Sequence, residues 1–361
     1  MPLYMDRHDV SKEVTAESVA RLHQEDLKVQ HKYNCRGLTY WFDDKRKTAF
    51  CLVEAPNVES VHEMHKHAHG ELPHSIIEVD ASLVESFLGR MEDPLSRPGA
   101  ELSVIDESAF RFILSVRIQI GQISNKHGLA SNLREYMHRV IEVVNGMQGT
   151  LVRQDTRNLL ASLTTVHQAV HCGLALHTAI GKVHPHLSLC IGLDAGPPVE
   201  GEKSLFENTI LTSNRLCDIG RGFSMSPGVL KIFQDERSSP DLHSNEIARI
   251  SATDMIFLHK LFDFLEANFS NSQWRIDEFA SRIGYSRSQT YRNSMGLLGF
   301  SPNGYFNKYR LDKSLDMLNS GMYTVSEVAF LCGFSSASYY SKCFRRMYGI
   351  SPKDYMTAVR P

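Results

Sequence analysis

The stretch AFLCGFSSASYYSKCFRRMYGISPKDY, Ala329–Tyr355, spells out a helix, a tight turn and a second helix. Val325, Val328, Ala329 and Leu331 give the first helix an apolar face at helical spacing. Gly333 follows Cys332 where that helix must end, a place for the positive φ that glycine adopts at little cost. Phe334 plugs the core beside the turn, and Ser335 or Ser336 caps the next helix. That helix turns Ser338, Tyr339 and Lys342 to one side and Tyr340, Phe344 and Met347 to the other. The scheme repeats about fifty residues upstream in RIDEFASRIGYSRSQTYRNSMGLLGFSP, Arg275–Pro302. There Ile276, Phe279, Ala280 and Ile283 form the apolar face, and Gly284, Tyr285 and Ser286 form the turn. The helix after it exposes Arg287, Ser288, Tyr291 and Arg292. Between the copies, Tyr305–Asn319 reads as one long helix opened by Ser301-Pro302. Two helix-turn-helix units in tandem predict a module that lays two helices into successive major grooves of double-stranded DNA.

From about Phe257 to Val359 the chain resembles the AraC/XylS family of transcription regulators, most specifically over Ala329–Tyr355. The resemblance implies an all-α domain with two short recognition helices joined by a rigid linker helix. By position it carries base contacts onto Arg287, Ser288, Tyr291 and Arg292 in the first unit and onto Ala337, Ser338, Tyr339 and Lys342 in the second. Arg345 and Arg346 fall where phosphates are met. Arg addresses guanine bidentately, whereas Ala337 offers only a methyl contact to thymine. DNA is the partner this implies, with RNA polymerase as a further one.

Charge follows the same division. From Asp254 onward there are 13 Lys/Arg against 9 Asp/Glu, while the preceding residues hold 26 against 32. The chain as a whole is near neutral, at −2, and would not coat nucleic acid indiscriminately. The seven cysteines (35, 51, 172, 190, 217, 332 and 343) show no Cys-x-x-Cys spacing and lie in apolar segments, as reduced core cysteines do. The charged opening, Met1–Asp9, has no apolar signal region, and no apolar run reaches membrane-spanning length, so a cytoplasmic protein with no membrane partner is expected.

The length suits two or three domains. Gly89–Gly99 (GRMEDPLSRPG) and Asp235–Asn245 (DERSSPDLHSN) are rich in Pro, Ser and charge and read as linkers. The expected domains are residues 1–88, 100–236 and 251–361.

The first domain reads strand, helix, strand, strand, helix, strand. Leu3–His8 is a strand, Thr15 caps a helix running to about Tyr33, and Gly37–Asp43 and Thr48–Glu54 form a hairpin. Val58–His69 is the second helix and Ile76–Val79 the last strand. This βαββαβ order predicts an α+β, ferredoxin-like fold. Histidine is concentrated in the second helix, VESVHEMHKHAHG, at His62, His65, His67 and His69. His65 and His69 lie four apart on one face, expected to be partly exposed, and could chelate an ion. His8 follows Asp6 on the first strand, His23 lies on the first helix, and Glu54 ends the third strand. Imidazoles with carboxylates suit nickel, zinc or copper. Cys51 is expected to face away from its neighbours by strand alternation and to belong to the core.

Four segments of this domain resemble a family of small bacterial nickel-binding proteins of ferredoxin-like fold. They are MDRH (Met5–His8), TAESVARLHQEDL (Thr15–Leu27), LTYWFDDKRKTAFCLVEAP (Leu38–Pro56) and MHKHAHG (Met64–Gly70). The resemblance implies a metal, with nickel favoured. The ligands expected are His65 and His69, then His8, His23, Asp6 and Glu54; His62 and His67 lie off the shared face.

The middle domain again alternates. Strands are expected at Arg111–Ile120, Thr150–Gln154, Leu159–Leu163 and Leu187–Ala195, and helices at Ser131–Val144 and His167–Ile180. GLDAGPPVEGEKSLFENTILTSNRLCDIG, followed by FSMSPGVLKIF, resembles the class III nucleotide cyclase homology domain. That family needs two aspartates for two metal ions. Here Ser115–Gly121 offers no carboxylate and the better register puts Arg157, not Asp155, at the second position. Arg215 matches the family's transition-state arginine, but the asparagine expected four residues before it is Leu211. Without those carboxylates phosphate charge goes unneutralised, so the domain reads as a pseudo-cyclase and the chain as no enzyme. Its expected roles are homodimerisation or binding a small ligand. The rival readings are a regulator sensing a small ligand in the cyclase-like domain while the first domain only buffers metal, a metal-storage or buffering protein that carries a DNA module, and a cyclase with an unusual site.

Overall fold

The structure is a computed structural model that describes residues 1–94, 102–124, 126–180, 184–201, 204–220, 222–236, 247–273 and 276–359. Residues 95–99 of the first expected linker and 237–245 of the second lie outside these residues. Two compact units emerge: residues 1–113 with 162–165 and 195–211, and residues 114–161 with 166–194 and 212–361.

The first unit holds β1 (Leu3–Asp9), α1 (Ala16–Val29) continued by a 3-10 turn at Gln30–Tyr33, β2 (Arg36–Asp43), β3 (Thr48–Glu54), α2 (Val58–Ala68), β4 (Ser75–Val79) and α3 (Ala81–Leu88). Its sheet runs β2-β3-β1-β4 with antiparallel neighbours, the ferredoxin-like arrangement expected. Each helix starts on a side chain that satisfies otherwise unpaired backbone donors. Thr15 and Ser18 form a capping box on α1, Asn57 accepts from Ser60 N, and Asp80 accepts from Ser82 N and Leu83 N. Tyr4, Val19, Ala20, Tyr40, Phe42, Val53, Val61 and Met64 pack between sheet and helices.

Helix α3 was not expected, although Asp80 and Gly89 bracket it. The described start of the first linker is packed against β2. Arg90 Nη2 donates to Tyr40 O at 2.8 Å, and Asp93 N donates to Leu38 O at 3.0 Å. Polar groups that satisfy a strand edge read in sequence like those of a free linker.

The chain continues through β5 (Arg111–Ile120), α4 (Leu129–Gly146), β6 (Thr150–Gln154), β7 (Asn158–Leu163), α5 (Val166–Ile180), β8 (Leu187–Gly196), α6 (Glu207–Asp218), β9 (Phe223–Met225), α7 (Pro227–Asp235) and β10 (Ile247–Arg249). These strands form a six-stranded sheet in the order β10-β9-β8-β5-β7-β6. The first five elements and β8 lie where the pattern placed them. Strands β9 and β10 are three residues each and join by parallel pairing, too short for periodicity to reveal. Gly192 of β8 is required by close approach, since a Cβ there would overlap Ser213 O of α6.

The all-α end holds α8 (Ala252–Asn268), α9 (Ile276–Ile283), α10 (Arg287–Leu298), α11 (Pro302–Ser320), α12 (Val325–Leu331), α13 (Ala337–Tyr348) and α14 (Pro352–Val359). Ser286, Ser301 and Ser336 cap α10, α11 and α13, and Thr324 with Glu327 forms a capping box on α12. Phe257, Leu258, Leu261, Phe262 and Leu265 of α8 bury their faces against Phe279, Ile283, Leu298, Tyr305 and Phe306. All seven cysteines are buried and unpaired. Among the described residues no helix is long and apolar enough to cross a membrane.

Candidate metal centre and nucleic-acid interface

Asp6 on the central strand β1, Asp26 on α1 and His65 on α2 meet in the interior of the first unit, with at most 3% of each exposed. His65 Nε2 lies 2.9 Å from Asp6 Oδ2, and His65 Nδ1 lies 3.0 Å from Asp26 Oδ1. His8 Nε2 stands 3.3 Å from Asp6 Oδ1, and His69 Nε2 stands 3.2 Å from Asp26 Oδ1. The imidazole is therefore flanked by two carboxylates, each with a second histidine beside it. Asp6 Oδ1 also accepts from Cys51 N at 3.1 Å.

Burial alone lowers the His65 pKa, but the charge of Asp6 and hydrogen bonds to Asp26 and Asp6 outweigh it and push it up to about 10. Burial raises Asp6, yet His8 and His65 hold it well below the usual carboxylate range. Asp26 is likewise lowered against its burial, through His65 and His69. Two buried carboxylates concentrate negative charge beside the imidazoles in a low-dielectric interior. A divalent ion coordinated by the same oxygens and nitrogens would neutralise it. Asp6, His8 and Cys51 bring potential ligand atoms within 4.8 Å of one another, as do Asp26, His65 and His69. This nitrogen-rich set with carboxylates fits nickel, zinc or copper.

Several sequence expectations are corrected. His65 is buried, not partly exposed, so it supports the fold as well as the site. Glu54 is not in the cluster: the register sets it opposite Leu3, while His8 lies opposite Ala49 at the other end of the strand pair. Its carboxylate lies 3.6 Å from Arg36 instead. His23 pairs with Asp93 at 3.1 Å and packs at a tilt against the Tyr40 ring, and it lines the same cavity of about 290 Å³ as His8, His65 and His69. His67 bonds Tyr33 through its Nδ1. Cys51 does not face away from Asp6: the two are directly paired, and opposed residues of an antiparallel pair share a face. Burial raises its thiol well above the ordinary value. Asp26 was missed as a candidate ligand, although Val19, His23 and Asp26 fall on one helical stripe and mark the inner face of α1.

At the other end of the chain, α10 buries Thr290, Ser294 and Leu298 and exposes Arg287, Ser288, Tyr291 and Arg292. Helix α13 buries Tyr340, Cys343, Phe344 and Tyr348. It exposes Ser338, Tyr339, Lys342, Arg345 and Arg346, with Ala337 half-buried at its start. Tyr291 and Tyr339 are large and 53% and 48% exposed, more than packing of the helix itself asks for. Ser341, Lys342, Arg345, Arg346 and Ser351 line a shallow cationic hollow.

The profile of a helix-turn-helix domain family matches residues 279–358. The HTH-type transcriptional regulator GbdR of Pseudomonas aeruginosa is 30% identical over 135 residues, 37% of this chain and 36% of that protein. The chain carries an AraC-type helix-turn-helix domain. A solved AraC-type regulator from Chromobacterium violaceum is 26% identical to that domain, with a TM-score of 0.29 over 31% of this chain and 99% of the other. The profile of the nickel responsive protein SCO4226-like family matches residues 4–79, so the AraC-type domain is joined to an SCO4226-like one. The structure of SCO4226 from Streptomyces coelicolor is 28% identical, with a TM-score of 0.20 over 26% of this chain and 99% of that one. The chain spans well under half the length of the curated relatives it matches.

In the middle of the chain, Ser115 Oγ meets Ser213 Oγ at 2.8 Å, both buried. Arg157 and Arg215 are buried and engaged with Asp316 and Asp263 of the AraC-type end.

Proposed function

We propose that this chain is a sequence-specific DNA-binding transcription regulator whose activity responds to a divalent transition metal, nickel favoured. The observation that carries the reading is one chain joining two exposed helices, α10 and α13, to a cluster in which three imidazoles and two buried carboxylates converge. The base-facing set is Arg287, Ser288, Tyr291 and Arg292 with Ala337, Ser338, Tyr339 and Lys342; Arg345 and Arg346 meet phosphates. The metal would be held by His65, His69, His8, Asp6 and Asp26, with Cys51 and His23 at the margin and Glu54 excluded. The ion supplies positive charge and a fixed geometry, while the chain supplies three imidazoles and two carboxylates from three different elements. Binding there ties β1, α1 and α2 together. Regulation requires the ion to favour one arrangement of the chain over another.

The cyclase-like part supplies no catalytic carboxylates in this reading. It is a scaffold, with homodimerisation as its expected role, and the chain is not an enzyme.

Fluorescence anisotropy of chelator-stripped protein, titrated with nickel, zinc and copper on fragments from upstream of its own gene, tests this. A metal-dependent change in affinity of tenfold or more is expected, with nickel most effective. Tight specific binding that ignores every ion would reduce the first unit to metal buffering.

A further inference from the structure

The last carbonyls of a helix need donors from outside it, and for α13 part of the supply comes from beyond the AraC-type domain. Ile123 N donates to Tyr348 O at 2.8 Å. Gln122 Nε2 donates to Arg346 O at 2.5 Å and to Met347 O at 3.3 Å. The two residues lie two and three positions past the end of β5. The approach is close: a Cβ on Gly349 would stand 2.5 Å from Ile123 O and 3.0 Å from Ile123 N. Gly299 closes α10 in the same left-handed conformation, φ 74° against 81°, yet meets nothing within 4 Å among the described residues. One capping device thus occurs twice, and at α13 it also admits a neighbouring backbone.

A second hold reaches the same helix through α11. Tyr348 OH donates to Asp312 Oδ1 at 2.8 Å, and Lys308 Nζ donates to Asp312 Oδ2 at 2.6 Å. Arg157, buried beside the β6–β7 turn, reaches Asp312 O at 3.4 Å and pairs with the Asp316 carboxylate. Asp312 is half-buried and held below the ordinary carboxylate range against its burial, chiefly by Lys308. None of these groups belongs to the exposed face of α10 or α13.

We propose that Gln122, Ile123 and Arg157 are positioning residues for the second recognition helix. They fix where α13 stands relative to α10 and so set the base-pair spacing that the two helices read together. This rests on the DNA-binding reading above. A helix held at its C-terminus by backbone and buried-charge contacts cannot shift along a groove without breaking them. The middle part of the chain therefore acts as a ruler for the operator.

Two measurements on the full chain test it. In hydrogen exchange, Gly349→Ala should speed exchange at Ile123 at least tenfold, while Gly299→Ala, with the same backbone strain, leaves Ile123 as in the parent. The second uses a duplex that the parent chain enriches from a random-sequence library, with one base pair then inserted between its two half-sites. The parent should lose at least tenfold in affinity on insertion. Gln122→Ala and Arg157→Ala should lose less than threefold, and Arg157→Lys should return towards the parent. Equal insertion penalties in Gln122→Ala and the parent, or unchanged Ile123 exchange in Gly349→Ala, overturn the inference. A parent chain that enriches no duplex overturns the DNA-binding reading and the inference with it, while the exchange experiment still reports whether the contact exists.

Discussion

His65 Nε2 and Asp6 Oδ2 lie 2.9 Å apart with both side chains out of solvent, so a helix residue and a central-strand residue share one buried charge pair. Removing Asp6 takes one of the two carboxylates from His65 and breaks a buried hydrogen bond, while Asp26 stays paired with the imidazole. Asp6→Asn should therefore weaken metal binding at least tenfold and also destabilise the metal-free chain. Calorimetric metal titration and urea unfolding check the two effects separately. A variant with parental stability would show that water reaches the pair.

His65→Ala and His69→Ala should differ. His65 touches both Asp6 and Asp26, whereas His69 contacts Asp26 from a site nearer the surface. His69→Ala should lose metal affinity at least tenfold with stability changed by only about 1 kcal/mol, the usual scale for a lost hydrogen bond. His65→Ala should lose both. Glu54→Gln should leave the metal isotherm unchanged, since Glu54 lies at the far end of the β1–β3 pair. A weakened isotherm in Glu54→Gln would relocate the site.

What was legible in the chain was local. Gly333, Ser336 and Gly349 punctuate the second helix-turn-helix within a few residues of the helices they bound, so sequence alone located it. The βαββαβ order was equally readable, because each element carries its own period and cap. The make-up of the metal cluster was not, because it depends on pairing across the chain. Cys51 faces Asp6 only through the β1–β3 register, and Asp26 becomes a partner only when α1 packs on α2. Glu54 fails for the same reason, being near His8 in composition but not in register. Asp93 escaped notice because a stretch rich in Pro and charge reads as a linker, although Asp93 bonds His23.

Asp312 gives a pH dependence whose sign can be worked out. Its folded pKa lies below the unfolded value despite burial, through Lys308, Tyr348 and Arg157. The unfolded chain thus binds the proton more readily, and stability rises with pH across that interval. The contribution is present above about pH 4, the unfolded carboxylate range, and is lost as pH falls through the folded pKa. Asp312→Asn should lower stability at pH 7 and flatten the decline below pH 4. Urea midpoints of the full chain from pH 3 to pH 7 check it, and parallel curves for the variant and its parent would refute it.

The exposed cations of the two recognition helices should separate by role. Arg292 stands exposed on the outer face of α10, one helical turn from Ser288, in the set proposed to face the bases. Arg345 and Arg346 sit in the last turn of α13 beside Ser351, lining the cationic hollow. Arg292→Ala should cost about 1–3 kcal/mol on the selected operator and relax the sequence preference at one position. Arg345→Ala should weaken all sequences about equally and reduce the slope of log affinity against log salt by about one. Anisotropy titrations at several salt concentrations, on the operator and on single-base variants, distinguish the two patterns. A salt slope unchanged in Arg345→Ala would remove it from the phosphate contacts. A uniform loss in Arg292→Ala would move that residue from the bases to the backbone.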